Sequence, residues 1–319
     1  MNLTVLYEPW RLRPLAWIHR VEARSIVAEL ERAGHTVNLI PFRENRIASL
    51  PPGPLLLRVS DPVMLLATRA LTRAARPFWG PAAAVMERCH DKYDALRLAV
   101  AHGVACPATA LAGEAGAMPF PLVLKPRRGS DSIGVKVVRE GPIPPRLQTE
   151  MHVAQEQVRG TELTIGVIRE RTGLPLRILL PEGTPYSFVR KYLYRPRREV
   201  LTDDALGGRV RDTALQIARL FGVNWAARID FIYDPRRGRL CFLECDAAPL
   251  VGPASAFAVS LAAAGMTRAE QLRSLIDDAG CTKPSLVNRD RISLLDPGSP
   301  FSWRLTRHAA RGGCRRAAR

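Results

Sequence analysis

Lysine is almost missing from this chain: five residues of 319, against 42 arginines. The formal charge of +17 therefore expresses a preference for arginine as much as a binding device. It permits a nucleic-acid or other anionic partner without requiring one. Paired cysteines are missing too. Cys89, Cys106, Cys241, Cys245, Cys281 and Cys314 form no Cys-x-x-Cys and no regular spacing, which argues against a disulfide framework or zinc site and fits a reducing cytoplasm. No basic, apolar and cleavage-site succession opens the chain, so no secretory leader is expected. The uncharged stretch Ala247–Thr267 is long enough to raise a membrane span. Pro249, Gly252 and Pro253 break its first half, and it reads as a buried loop and helix.

What is present is apolar material, 47% of the residues, and length for two or three domains. An α/β opening is read from strand Leu3–Tyr7, helical pattern Ala23–Ala33 ending at Gly34, strands Thr36–Pro41 and Leu55–Val59, and helix Pro62–Ala75. Cys89–Ala101 reads as one helix. Strands are expected at Phe120–Pro126 and Gly134–Arg139, and at Val153–Val158 and Glu162–Val167, the latter two paired about Gly160. Strand Leu176–Leu180 leads into a Tyr/Arg-rich loop, Glu182–Glu199. Helix Gly208–Phe221, a hairpin and helix Ala269–Asp278 follow. Beyond Thr282 a Pro-, Ser-, Gly- and Arg-rich tail reads as poorly ordered. The expected division is an N-terminal α/β part (1–84), two α+β parts (85–170 and 171–283) and a basic tail (284–319).

The densest chemistry lies in Ala226–Ser255. Arg228 and Asp230 alternate with apolar residues and so share one strand face. Asp234–Gly238 reads as a turn, and Glu244 and Asp246 share a face of the next strand. Like charges at close quarters need a cation among them. Oxygen ligands without His or Cys suit a hard ion such as Mg²⁺. A solvated polar hairpin face is the alternative. Further upstream, Lys125 ends an apolar strand and Arg127-Arg128-Gly129-Ser130-Asp131-Ser132-Ile133-Gly134 follows. Such a Gly/Ser loop can turn its N–H groups inward as an anion nest beside the lysine, or be an ordinary hairpin turn.

In order along the chain, Asp91-Lys92, Lys125-Pro126 with its loop, Gln155-Glu156 with Gly160-x-Glu162, Lys191-Tyr192, Arg228-x-Asp230-Phe231 and Glu244-x-Asp246 resemble ATP-grasp ligases. The nearest likeness is the D-alanine–D-alanine ligase branch, over about residues 85 to 280. The resemblance implies two α+β parts that clamp ATP, with Lys92 and Lys125 on its phosphates and the backbone of Ser130, Ser132 and Gly134 covering them. Gln155, Glu156 and Val158 would line the adenine and Glu162 the ribose. Asp230, Glu244 and Asp246 would hold two Mg²⁺ ions, with Mn²⁺ as a substitute. Arg228 would face the acyl phosphate and oxyanion, Lys191 would sit in a lid, and Ser255 would bind the acceptor carboxylate. The implied reaction joins a small carboxylate donor to an amine acceptor through an acyl phosphate, releasing ADP and phosphate. No membrane or nucleic-acid partner is implied, and a homodimer is compatible.

The N-terminal third departs from that branch. Its Gly-Gly-x-Ser-x-Glu and His-Gly-x-x-Gly-Glu stretches are replaced by Tyr7-Glu8-Pro9-Trp10 and Leu57-Arg58-Val59-Ser60-Asp61-Pro62. Leu250 stands where the branch has an oxyanion-hole glycine. A donor other than D-alanine is therefore expected. Arg58, Ser60 and Asp61 follow a strand end, where ligand contacts are common, although Ser60 or Asp61 can equally cap a helix. Glu8 and His19 could face the cleft, but a surface role is the expectation for each. Two further readings stand beside this one: a genuine D-alanine–D-alanine ligase with a divergent N-terminal part, and a basic nucleic-acid-binding protein using the Arg-rich tail.

Overall fold

The structure is a computed structural model, and it describes residues 1–9, 16–129, 132–179, 197–202 and 204–283. Ser130, Lys191, most of the Tyr/Arg-rich loop and the basic tail lie outside the described residues. The chain opens with β1 (Asn2–Tyr7), α1 (Ala16–Arg32), β2 (Thr36–Pro41), β3 (Leu55–Arg58), α2 (Asp61–Arg73) and β4 (Phe78–Trp79). β1 pairs in parallel with β2 and β3, and β3 with β4. Leu3, Val5, Leu6 and Leu55 to Leu57 are all buried, the continuous apolar run expected of strands covered on both faces. α1 begins at Ala16, seven residues before the apolar pattern suggested. His19 and Glu22 occupy its buried face, and two polar residues there conceal the helical period.

α3 (Ala83–His90) and α4 (Lys92–Ala101) replace the single helix expected over Cys89–Ala101. The break is Asp91, at φ −90° and ψ 98°, whose carboxylate accepts the Asp94 N–H at 3.2 Å as an N-cap. A small antiparallel sheet follows: β5 (Thr109–Leu111), β6 (Leu122–Pro126), β7 (Lys136–Val138) and β8 (His152–Glu156), in the order β5-β8-β6-β7.

Next come β9 (Thr161–Ile168), β10 (Arg171–Thr172), β11 (Leu176–Ile178), β12 (Arg198–Val200), α5 (Asp204–Phe221), β13 (Ala226–Asp234) and β14 (Arg239–Asp246). The strands form a second antiparallel sheet, ordered β12-β11-β9-β13-β14, with β10 on β9. β8 and β9 therefore do not pair about Gly160 as expected; they lie in different sheets. A Cβ at Gly160 would stand 2.0 Å from the Tyr233 carbonyl oxygen, so the chain passes directly against β13 as it crosses. The expected loop to Glu199 also ends in a strand, since β12 pairs with β11.

α5 buries Leu206, Val210, Ala214, Ile217 and Phe221 on one stripe, in one cluster with Leu163, Ile165 and Phe231 of the large sheet. Each of these side chains larger than alanine contributes about 1.5–3 kcal/mol on burial. α6 (Ala256–Ala263) and α7 (Arg268–Leu275) lead to β15 (Cys281–Thr282), which returns to pair antiparallel with β4. Residues Met1–Pro284 form one compact unit. Among the described residues no helix is long and apolar enough to cross a membrane.

Candidate active site

The β13–β14 hairpin aligns Arg228 with Asp246 and Asp230 with Glu244, with a register shift after Asp230. All four side chains therefore reach one face. Arg228 sits in the middle, its side chain 12% exposed. Its Nε and Nη2 each donate to Asp230 at 3.0 Å, Nη1 meets Asp246 at 3.2 Å, and Glu244 lies 3.8 Å away. Burial works against its charge, yet Asp230 and Asp246 hold the guanidinium firmly protonated. Asp230 also accepts from Thr164 Oγ1 at 2.6 Å. Thr164 faces Asp230 across β9 and β13, a partner the sequence signalled only by its alternation with Glu162.

Among the described residues no three His, Cys, Asp or Glu side chains are disposed to hold a metal ion, because an arginine takes the centre. The donor chemistry still suits a hard divalent cation: every candidate ligand is a carboxylate oxygen. Asp246 also accepts the Ala248 N–H at 3.0 Å, and Glu244, at 3.8 Å, makes the longest of the three contacts to Arg228. Cys245, between them, is buried with the core on the far side of the hairpin and borders the cleft. A hydrogen bond with Cys89 and burial push its thiol well above the usual range, which removes it as a nucleophile.

Arg228, Glu244 and Asp246 line a cleft whose other walls come from α1 (His19), the start of α2 (Ser60, Asp61), Lys92 and Gly129, and Ala248 and Leu250. Lys92 opens α4, and its Nζ donates to the Gly129 carbonyl at the start of the Gly/Ser loop. Ser132 (φ 58°) and Gly134 (φ 78°) both adopt left-handed backbone in that loop, a bend that turns successive N–H groups. Lys125 lies deeper and donates to Gln155 Oε1 at 2.7 Å. Burial lowers its pKa, opposed by the nearby Glu244 and Glu162 carboxylates. Burial, then the neighbouring Asp230, pushes Glu162 up to about 7. Lys125, Glu162, Asp230 and Glu244 thus share one electrostatic neighbourhood.

Other expected site residues stand apart from it. Glu156 is tied to Arg239 at 2.6 Å and to the Ala108 N–H at 3.2 Å, and the hydrogen bond from Arg239 lowers its pKa. Val158 is half-buried in the connection to β9. Ser255 caps α6, accepting the Ala258 N–H at 3.1 Å.

Two expectations for the N-terminal part are corrected. Glu8 and His19 are buried rather than exposed, Glu8 completely. Ser60 does occupy the N-cap position of α2, but its side chain makes no cap hydrogen bond. Its hydroxyl and N–H both go to Glu8, because a fully buried carboxylate needs donors more than a helix end beside solvent does.

A family model described as the D-ala D-ala ligase C-terminus matches residues 102–277. The chain belongs to the D-alanine–D-alanine ligase family. It is an ATP-grasp ligase, an ATP-dependent former of amide bonds. A D-alanine–D-alanine ligase of Granulibacter bethesdensis is 28% identical over 295 residues, covering 82% of this chain and 92% of that protein. One from Xanthobacter autotrophicus is 32% identical over 184 residues, 53% of this chain and 59% of its own length. Among solved structures, the Bacillus anthracis D-alanine–D-alanine ligase complexed with ATP matches at a TM-score of 0.74. It is 18% identical and covers 88% of this chain and 96% of that one. That likeness carries the fold. The D-alanine ligase family thus accounts for the three-sheet architecture.

Proposed function

We propose that this ligase activates a small carboxylate donor with ATP and joins it to an amino-acid-like amine, releasing ADP and phosphate. The observation that carries the reading is the Arg228, Glu244 and Asp246 face opening with Lys92 onto one cleft. A carboxylate is a poor nucleophile and a poor acyl donor, and both obstacles are largely electrostatic. Lys92, Lys125 and the loop around Ser132 and Gly134 would neutralise and cover the phosphates, as would Ser130. Gln155, Glu156 and Val158 would border the adenine and Glu162 the ribose.

Asp230, Glu244 and Asp246 would hold the divalent ions, Mg²⁺ or Mn²⁺, which when bound neutralise charge on the transferring phosphoryl group. Arg228 would then be released in part from the carboxylates to meet the acyl phosphate and the oxyanion that the amine creates. Ser255, with Lys191 in a covering loop, would complete the acceptor side. Tyr7-Glu8-Pro9-Trp10 and Leu57-Arg58-Val59-Ser60-Asp61-Pro62 stand in place of the branch's donor motifs, which supports a donor other than D-alanine. The test is ADP release with Mg·ATP across pooled L- and D-amino acids, followed by product mass. An amide product with ADP in equal amount is expected. Absence of any amine-dependent ADP release would sink the reading, and a product containing D-alanine at both positions would restore the genuine D-alanine–D-alanine ligase reading.

A further inference from the structure

A buried ion pair links the N-terminal sheet to the loop that walls the cleft. Glu22, on α1, and Arg58, at the end of β3, pair through Arg58 Nε at 3.1 Å and again through Nη2. Arg58 is wholly buried, and its guanidinium lies 5.9 Å from the Trp225 ring centroid. Neither charge faces solvent, so each must be satisfied within the fold. Both reach the backbone between β14 and α6. Glu22 Oε1 accepts the Val251 N–H at 2.5 Å and the Gly252 N–H at 2.7 Å. Arg58 Nη2 donates to the Pro249 carbonyl at 2.9 Å. Arg268 closes the set by donating to the Val251 carbonyl at 2.8 Å.

The polar backbone groups flanking Leu250 are thus pinned on both sides, and Leu250 and Ala248 line the cleft beside Arg228 and Asp246. We propose that Glu22 and Arg58 are positioning residues, holding the Leu250 main chain where it meets the reacting carbonyl. This rests on the ligase reading above. The two residues touch no substrate. They fix the loop that does, and they do so from the part of the chain that departs most from the family. A stability role alone would be met by an apolar pair of similar volume; two converging N–H groups on Oε1 and the Arg58 guanidinium on Oε2 require an acceptor oxygen on both arms, which a carboxylate offers and an amide does not.

The test is Glu22→Gln, with Arg58→Lys as the milder variant that keeps a cation beside Glu22 but loses the guanidinium fork. Three readouts apply: turnover, Mg·ATP binding heat, and hydrogen exchange at the Val251 and Gly252 amides. In Glu22→Gln a loop displaced by about 1 Å should lower kcat roughly 100-fold. Mg·ATP affinity should stay within about twofold, and the two amides should exchange roughly tenfold faster or more. Arg58→Lys should show the same pattern more weakly. Unchanged kcat, unchanged exchange, or a parallel loss of Mg·ATP binding in Arg58→Lys would each overturn the proposal. A wild-type enzyme without amine-dependent turnover is failure of the ligase reading; the exchange data still decide whether the clamp holds the loop.

Discussion

Replacing Arg228 by Met tests the charge arrangement at the centre of the cleft. The substitution removes a cation that touches all three hairpin carboxylates, at 3.0 Å from Asp230, 3.2 Å from Asp246 and 3.8 Å from Glu244. Breaking a buried ion pair by deleting one partner costs about 3–5 kcal/mol. The Asp230 and Asp246 side chains keep 17% exposure and Glu244 keeps 40%, so water offsets part of the cost and the lower end applies. For a unit of this size each kcal/mol moves Tm by roughly 2–4 °C, which gives a fall of roughly 6–12 °C in metal-free buffer at pH 7. Mg²⁺ should then recover more stability in Arg228→Met than in the wild type, because the ion no longer competes with the guanidinium. At 100-fold excess over its Kd the gain is about 2.7 kcal/mol. The assay is thermal unfolding of both proteins with chelator and with Mg²⁺. A variant as stable as the wild type in chelator, with no larger response to Mg²⁺, would refute the picture of three carboxylates held together by a cation.

Glu162→Gln should stabilise the protein in alkaline but not in acidic buffer. Glu162 is pushed up to about 7 from its ordinary value of 4.5, so its ionisation opposes folding. The penalty is absent below the unfolded value, grows as pH rises between the two, and is full above the folded value. The gain at pH 8 should be about 3 kcal/mol, read from urea midpoints at pH 4.5 and 8; an equal gap at both pH values would contradict it. Lys125→Ala should weaken Mg·ATP binding by at least about tenfold, and unchanged calorimetric heats would remove Lys125 from the phosphate site. Gly160→Ala should cost about 3 kcal/mol or more, since its Cβ would meet the Tyr233 carbonyl oxygen at 2.0 Å; a Tm within a degree of wild type would show that the two sheets slide freely there.

Period-two alternation made the hairpin legible: Arg228, Asp230, Glu244 and Asp246 could be placed on one face before any coordinates. The parallel opening was legible for a related reason, because strands such as Leu55 to Leu57 are apolar throughout. The signal failed where polar residues do core work. His19 and Glu22 face inward on α1 and hid its first two turns, and Glu8 and Arg58 are buried through partners distant in the chain. Nothing local announces that Glu22 will receive N–H groups from residues 251 and 252. The β8–β9 pairing was misread for a different reason. Two neighbouring strands with a glycine between them describe a hairpin and a sheet-to-sheet crossing equally well, and only Tyr233, far along the chain, distinguishes them.

β15 has a consequence for biogenesis. The first sheet starts at residue 2, yet among the described residues its outer edge at Phe78 and Trp79 is paired by Cys281 and Thr282. Thr282 Oγ1 also donates to the Gly80 carbonyl at 2.9 Å, and Trp79 Nε1 donates to the Asp277 carbonyl at 2.9 Å. A nascent chain must therefore carry an unsealed strand edge through most of its synthesis, with a risk of sticking to its neighbours. Closure comes when the last of these residues leaves the ribosome, so truncations ending before residue 281 should be handled by the cell as unfinished protein.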